Sequence, residues 1–205
     1  PVGTLKQTLC VPATMAAGPR AFAEGKPCVI IDFIGLKGFS GRQVVANLQD
    51  RWPGLGTERI AFPDMAHGEI YPEVMARALE VPATREKLAE SLKTIAGKVK
   101  VIGLPAILGM HCPDLVRAEL ERLTGLEIFE IPTMPPSVPG IRLRELFEQV
   151  LPKKGVTLIP QQKVTSLSFT KDGATLCLSD SYGPICIHAQ AVILATGRFL
   201  SGGLA

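Results

Sequence analysis

Apolar positions along this chain fall into short continuous runs that alternate with stretches of helical spacing. The run CVIIDFIGL, Cys28 to Leu36, is unbroken and reads as a buried strand. Ser40 then stands three residues before Gln43, the spacing of a capping box. Val44, Val45, Leu48 and Trp52 give the helix that follows one apolar face, and Pro53-Gly54 is read as its end. TERIAFP, Thr57 to Pro63, is a second strand. Between His67 and Gly97 the spacing is helical but is interrupted at Pro82. Proline removes an amide and clashes with the preceding turn, so two helical pieces are predicted, with Leu88, Leu92 and Ile95 on one face of the second. KVKVIGLPAIL supplies a third strand. Pro113 at a first helical position opens a helix carrying Val116, Leu120 and Leu123, which Gly125 closes. LEIFEIP is a fourth strand. The order β-α-β-α-β-α-β predicts an α/β fold, a three-layer arrangement with a mainly parallel sheet and crossover helices.

The flanks read differently. GTLKQTLCVP alternates enough for a short strand, and AAGPRAFAEGK reads as loop. Beyond TMPPSVPG a helix is predicted from near Gly140, with Leu143, Leu146, Phe147 and Val150 as its apolar face and Gly155 after its end. VTLIPQQKVTSLSFT, ATLCLSD and ICIHAQAVILATG then follow, separated by the turn signals Lys171-Asp172-Gly173 and Tyr182-Gly183-Pro184. They predict a β-meander feeding a last buried strand. The resulting division is a leading strand and loop over residues 1–26, an inserted α/β domain over 27–139, and a helix, meander and returning strand over 140–205.

Composition narrows the classes. Hydrophobic residues make up 46% of the 205 and aromatic residues 5%, so a sizeable aliphatic core can be buried, as a parallel sheet covered by helices requires. The net charge is only +3, and basic residues interleave with acidic ones, which argues against nucleic acid as the main partner. No apolar stretch approaches the roughly 18 residues of a spanning helix. The five cysteines, Cys10, Cys28, Cys112, Cys177 and Cys186, are widely spaced without a Cys-x-x-Cys pair and are expected as reduced, packed thiols. Adjacent His111-Cys112 lacks a second ligand pair, so no metal site is expected.

Candidate chemistry is sparse. In PTMPPSVPGIRLRE, Pro132 to Glu145, the prolines stiffen the approach to a helix whose first turn holds Gly140, Ile141 and Arg142. Free amides, the helix dipole and the Arg142 fork suit a phosphate or carboxylate; a plain strand-to-helix connection with Arg142 in an ion pair is the alternative. The closing Ala195-Thr196-Gly197 ends an apolar run with residues small enough for a dinucleotide to approach, although many α/β strands end in glycine. Gly35 to Ser40 carries neither the Gly-x-Gly-x-x-Gly nor the Walker pattern and is expected to form a turn. His67, His111 and His188 lie far apart, and no nucleophile elbow or zinc-protease motif occurs. Asp64 and Glu69 beside His67 read as solvated surface.

Three stretches together, PVGTLKQT, IPTMPPSVPGIRL and AVILATGRFLSGGLA, resemble the B subunit of anaerobic glycerol-3-phosphate dehydrogenases, and VIIDFIGLKGF and VIGLPAILGM resemble strands of that family. The resemblance implies a flavoprotein with an interrupted Rossmann-type flavin domain, with a Gly-rich β-α-β unit before this stretch and a further flavin-binding segment after it. It implies FAD or FMN as cofactor, with Thr196, Gly197, Gly202 and Gly203 approaching the flavin and Arg142, Gly140 and Ile141 holding an anion that faces it. A small phosphorylated substrate is implied, glycerol 3-phosphate, oxidised to dihydroxyacetone phosphate with electrons passed towards quinone. The implied partners are a dehydrogenase subunit and a membrane-anchoring iron–sulfur subunit, and the implied location is cytoplasmic, peripheral to the inner membrane. The stretch by itself is expected to bind flavin weakly or not at all and to be inactive. Alternatives are a subunit-docking scaffold without its own catalysis, or a related flavoprotein reductase.

Overall fold

The computed structural model describes residues 3–65, 68–180 and 183–196. It divides into two compact units, Pro1–Gln149 and Val150–Ala205. The sequence pattern places this boundary earlier, between residues 139 and 140. The division falls later because the helix begun at Val138 is anchored in the first unit, with Val138 fully buried beside Ala76 and Met110.

In the first unit, strands β1 (Cys28–Phe33), β2 (Leu55–Ile60), β3 (Val101–Pro105) and β4 (Glu127–Ile131) form a parallel sheet in the order β2-β1-β3-β4. The helices are α1 (Ala17–Ala23), α2 (Gly41–Leu48), α3 (Pro72–Ala78), α4 (Pro82–Ala96), α5 (Pro113–Thr124) and α6 (Val138–Val150). Strand alternation explains the layers. Val29, Ile31 and Phe33 point to one face, where they join Ile102, Leu104 and Ile128 under Leu79, Leu88, Leu92, Val116 and Leu120 of the α3–α5 side. Cys28 and Ile30 point the other way, to Phe129, Ala17, Ala21, Val44, Leu48 and Trp52. All six β1 positions are buried, as expected of a strand covered on both sides. This is the α/β, mainly parallel architecture predicted.

Local signals account for most boundaries. The Ser40 hydroxyl accepts from the Gln43 amide at 3.3 Å, the cap half of the expected box. Pro82 sits in the first turn of α4 and separates it from α3. Gly125 closes α5 in the left-handed region at φ +69°. Two leading expectations need correction. Residues 4–12 form no strand, and the segment expected as loop contains α1. Gly18 and Pro19 hide the helical signal of α1, whose small face lets Ala17 and Ala21 lie directly on the sheet. Trp52 is not helical: α2 ends at Leu48, and the chain folds back so that the indole Nε1 donates to the Lys26 carbonyl at 2.7 Å. A buried indole needs such an acceptor.

The second unit carries the meander β5 (Lys163–Thr170), β6 (Gly173–Asp180) and β7 (Gly183–Ala189), antiparallel in that order. A bulge between Val164 and Ser166 keeps Val164 opposite Leu178 while Leu167 stands opposite Leu176. The extra residue thus holds both apolar side chains on one face. The last buried strand is not formed: residues 191–196 carry no strand, and Ile193 and Leu194 are exposed. An apolar run becomes a strand only where a neighbour supplies backbone hydrogen bonds. The expectation of reduced, packed thiols is also corrected. Cys177 and Cys186 form a disulfide, Cys10 and Cys112 are exposed, and Cys28 alone of the free cysteines is buried.

Candidate functional site

Open parallel sheets bind ligands outside the carboxyl ends of their strands. At that edge three loops meet. The loop after β1 turns at Gly35, φ +82°, where a Cβ would collide with the Gly68 carbonyl; the Gly35 carbonyl accepts from Ile70 N at 2.9 Å. Gly38, φ +74°, accepts from Met134 N at 3.1 Å and ties this loop to the one after β4. The glycines here set turns, as expected, and also allow close approaches, and Lys37 and Glu69 form an exposed ion pair at 2.8 Å. Asp64, expected in a solvated loop, pairs with Lys87 at 2.8 Å; His67 lies outside the described residues.

At the centre is Glu130 on β4, its side chain completely buried. One carboxylate oxygen, Oε2, accepts from the Thr14 hydroxyl at 2.6 Å and from Arg142 Nη1 at 2.7 Å. The other, Oε1, accepts from Leu108 N at 2.7 Å and from Arg142 Nη2 at 2.9 Å. Arg142 also donates from Nε and Nη2 to the Gly109 carbonyl at 2.8 and 2.6 Å. All three guanidinium nitrogens therefore donate inward. The outward anion fork expected of Arg142 is replaced by a bidentate internal pair, because a buried carboxylate on β4 needs a partner. Gly140 and Ile141 stand just before it on α6, where Ile141 N donates to the Ser137 carbonyl at 3.1 Å. Sequence reasoning does not single out Glu130 or Thr14. The only signal is a charged residue at an inward position of the alternating strand LEIFEIP.

A second carboxylate holds the neighbouring helix start. Glu80 Oε1 accepts from Met110 N at 2.6 Å and His111 N at 2.9 Å, just before α5. Burial works against its charge, but these amides outweigh it and keep its carboxyl below the usual range. Buried Arg85 donates to the carbonyls of Leu79 and Glu80 at 2.7 and 2.9 Å, and its Nε lies 2.6 Å from a Glu119 oxygen. Its salt-bridge distance is short, yet that Nε lacks hydrogen-bond alignment, so the contact is a charge pair.

Beside α6 a cavity of about 440 Å³ opens between Pro12–Thr14, Pro113-Asp114 and the face carrying Leu143 and Leu146. Leu143, Leu146 and Phe147 are each about half exposed. The apolar face predicted for this helix therefore exists but is not covered within the first unit. Among the described residues no three His, Cys, Asp or Glu side chains gather as metal ligands, and no helix is long and apolar enough to cross a membrane.

The FAD binding domain family matches residues 1–176. The chain belongs to this family. Its sequence is similar to the B subunit of anaerobic glycerol-3-phosphate dehydrogenase from Vibrio vulnificus, 35% identical over 131 residues, which cover 63% of this chain and 30% of that protein. The corresponding B subunit of Yersinia enterocolitica is 27% identical over 100% of this chain and 49% of its own length. That of Pectobacterium atrosepticum is 29% identical over 83% and 41%. The chain thus spans about a third to a half of these relatives. A solved structure, the reduced form of ornithine hydroxylase from Pseudomonas aeruginosa, matches over 87% of this chain and 37% of its own at 18% identity, with a TM-score of 0.21.

Two helix starts at the carboxyl edge of the sheet are held by the protein's own oxygens. After β1, Gly41 N donates to Asp32 Oδ2 at 3.2 Å and Gln43 N to Ser40, so the protein's own oxygens occupy the α2 start. Glu80 does the same before α5. Thr196 is described without regular structure, and Gly197, Gly202 and Gly203 lie outside the described residues. The structure brings Gly140, Ile141 and Arg142 together on α6.

Proposed function

We propose that this chain forms part of a flavin-dependent oxidoreductase subunit that oxidises glycerol 3-phosphate to dihydroxyacetone phosphate and passes the electrons towards quinone. The observation that carries the reading is the joint match, to the FAD binding domain family over residues 1–176 and to glycerol-3-phosphate dehydrogenase B subunits over the whole chain. FAD is the preferred flavin over FMN, on the family's own description. When bound, the flavin would accept the electrons; the protein supplies binding and orientation.

In this reading the α/β unit, expected over residues 27–139 and extended by α6, is the inserted domain, and the meander that follows leads back to the flavin domain. Thr196, Gly197, Gly202 and Gly203 form one small-residue wall near the flavin. Gly140 and Ile141 lie in the first turn of the helix facing the anion, and Arg142 acts by anchoring that helix to Glu130. The partners are a dehydrogenase subunit and a membrane-anchoring iron–sulfur subunit, placing the complex at the cytoplasmic side of the inner membrane. The test is expression of the complete reading frame with its partner subunits. Glycerol 3-phosphate should reduce an artificial quinone-site dye, and flavin should co-purify with this subunit. A complex that reduces the dye equally well without this subunit would overturn the reading.

The half-exposed Leu143, Leu146 and Phe147 favour a second reading, a docking scaffold without its own catalysis. Leu146→Asp with Phe147→Asp in the complete protein separates the two. Loss of a partner subunit with flavin content unchanged supports docking; loss of flavin with the partners retained supports the first reading.

A further inference from the structure

Cys177 is on the middle strand β6 and Cys186 on the edge strand β7 of the meander. They are direct partners in the antiparallel register, with Cα atoms 4.2 Å apart. The neighbouring pairs Leu176↔Ile187 and Leu178↔Ile185 continue the ladder on both sides. The ladder, set by apolar alternation and by the hairpin, thus brings the two sulfurs together without needing the covalent bond.

The sheet has two unlike faces. Val164, Leu167, Phe169, Leu176, Leu178, Ile185 and Ile187 share one. The cysteines stand on the other, among Ser166, Ser168, Thr175 and His188, where the Thr175 hydroxyl and His188 Nδ1 are 2.9 Å apart. Cys186 is exposed and Cys177 half-buried. An attacking thiolate must approach one sulfur along the S–S axis, so the exposed cysteine on the edge strand is the more accessible target. Cys28 is the opposite case: burial pushes its thiol up to about 12, although a backbone contact with Gly103 pulls slightly the other way, and it stays a protonated core side chain.

We propose that Cys177 and Cys186 are a reversible thiol–disulfide exchange site whose substrates are low-molecular-weight thiols and their disulfides. The thiolate of one such thiol attacks Sγ of Cys186, breaks the Cys177–Cys186 bond and forms a mixed disulfide. Cys177 leaves as thiolate and takes a proton. A second thiol attacks the outer sulfur of the mixed disulfide, releasing Cys186 and one small disulfide. Two electrons enter the protein pair, and two thiols are oxidised to one disulfide. The strand ladder persists in both states, so the pair cycles without unfolding its sheet. Neither cysteine belongs to the flavin reading, and the exchange stands or falls without it.

The test is differential alkylation with peptide mass spectrometry on the Cys10→Ser/Cys112→Ser chain, across a series of reduced-to-oxidised glutathione ratios without denaturant. Cys177 and Cys186 should pass together from unlabelled to doubly labelled as the ratio rises, and return on reoxidation, with the far-ultraviolet circular dichroism unchanged. In Cys177→Ser, Cys186 should take up glutathione as a mixed disulfide. Failure of the pair to label until denaturant is added would overturn the proposal, as would labelling at every ratio or loss of strand signal on reduction.

Discussion

Arg142 and Glu130 meet fork to fork, Nη1 2.7 Å from Oε2 and Nη2 2.9 Å from Oε1, with the glutamate side chain fully buried. This pair joins β4 to α6, and through Thr14 and Leu108 it also fixes the leading segment and the loop after β3. Arg142→Ala leaves a buried carboxylate without its charge partner, which costs about 3–5 kcal/mol. Urea unfolding followed by Trp52, the chain's single tryptophan, reports this in the first unit. Arg142→Lys should also destabilise, because one ammonium cannot reproduce the bidentate geometry. Arg142→Ala with Glu130→Gln should cost less than the sum of the two single changes; strict additivity would show that the pair is not coupled.

Phe129 packs against two glycines. A Cβ on Gly103 would lie 2.7 Å from its Cζ and 2.8 Å from Ile30 Cδ1, and one on Gly18 would lie 2.6 Å from its Cδ2. Gly103→Ala and Gly18→Ala should each destabilise by roughly 1–3 kcal/mol through overpacking. Phe129→Leu combined with either alanine should recover part of that loss. Unchanged midpoints for both alanines would show that the ring has room to move.

Glu80 gives the stability a defined pH dependence. Its folded carboxyl lies below the usual range, because the amides of His111 and Met110 outweigh the opposing burial. Its stabilisation is therefore present above the unfolded-state value and is lost as pH falls through the folded one. Glu80→Gln should be less stable than the parent near neutral pH. The two unfolding midpoints should converge as pH drops below the ordinary carboxylate range. A constant difference down to strongly acid pH would contradict the assignment.

The 205-residue chain by itself should bind FAD and FMN weakly or not at all, since the starts of α2 and α5 are already occupied by Asp32, Ser40 and Glu80. Equilibrium titration by flavin fluorescence checks this. Tight stoichiometric binding would mean that residues of this chain form a complete cradle.

Much of the fold is legible in the sequence because its signals are local. Pro82, Pro113, Gly125 and Ser40 mark helix ends through their own backbone or side-chain chemistry, and the runs at Cys28 and Val101 carry the strand pattern directly. Helix α1 is not legible, because Gly18 and Pro19 disguise it while its small residues serve the packing against the sheet. The candidate site is less legible than the fold. The types of Gly140, Ile141 and Arg142 suggest an anion, but whether a guanidinium faces solvent or the core depends on Glu130, twelve residues earlier.

The sequence alone determined the class: alternating apolar runs and helical stretches with local start and stop residues specify a parallel α/β sheet followed by a meander. Only the tertiary structure decided the direction of Arg142, the occupation of the helix starts by Glu80 and Asp32, and the pairing of Cys177 with Cys186. Those outcomes depend on which distant group lies within about 3 Å once strands are in register, and no local pattern encodes that distance.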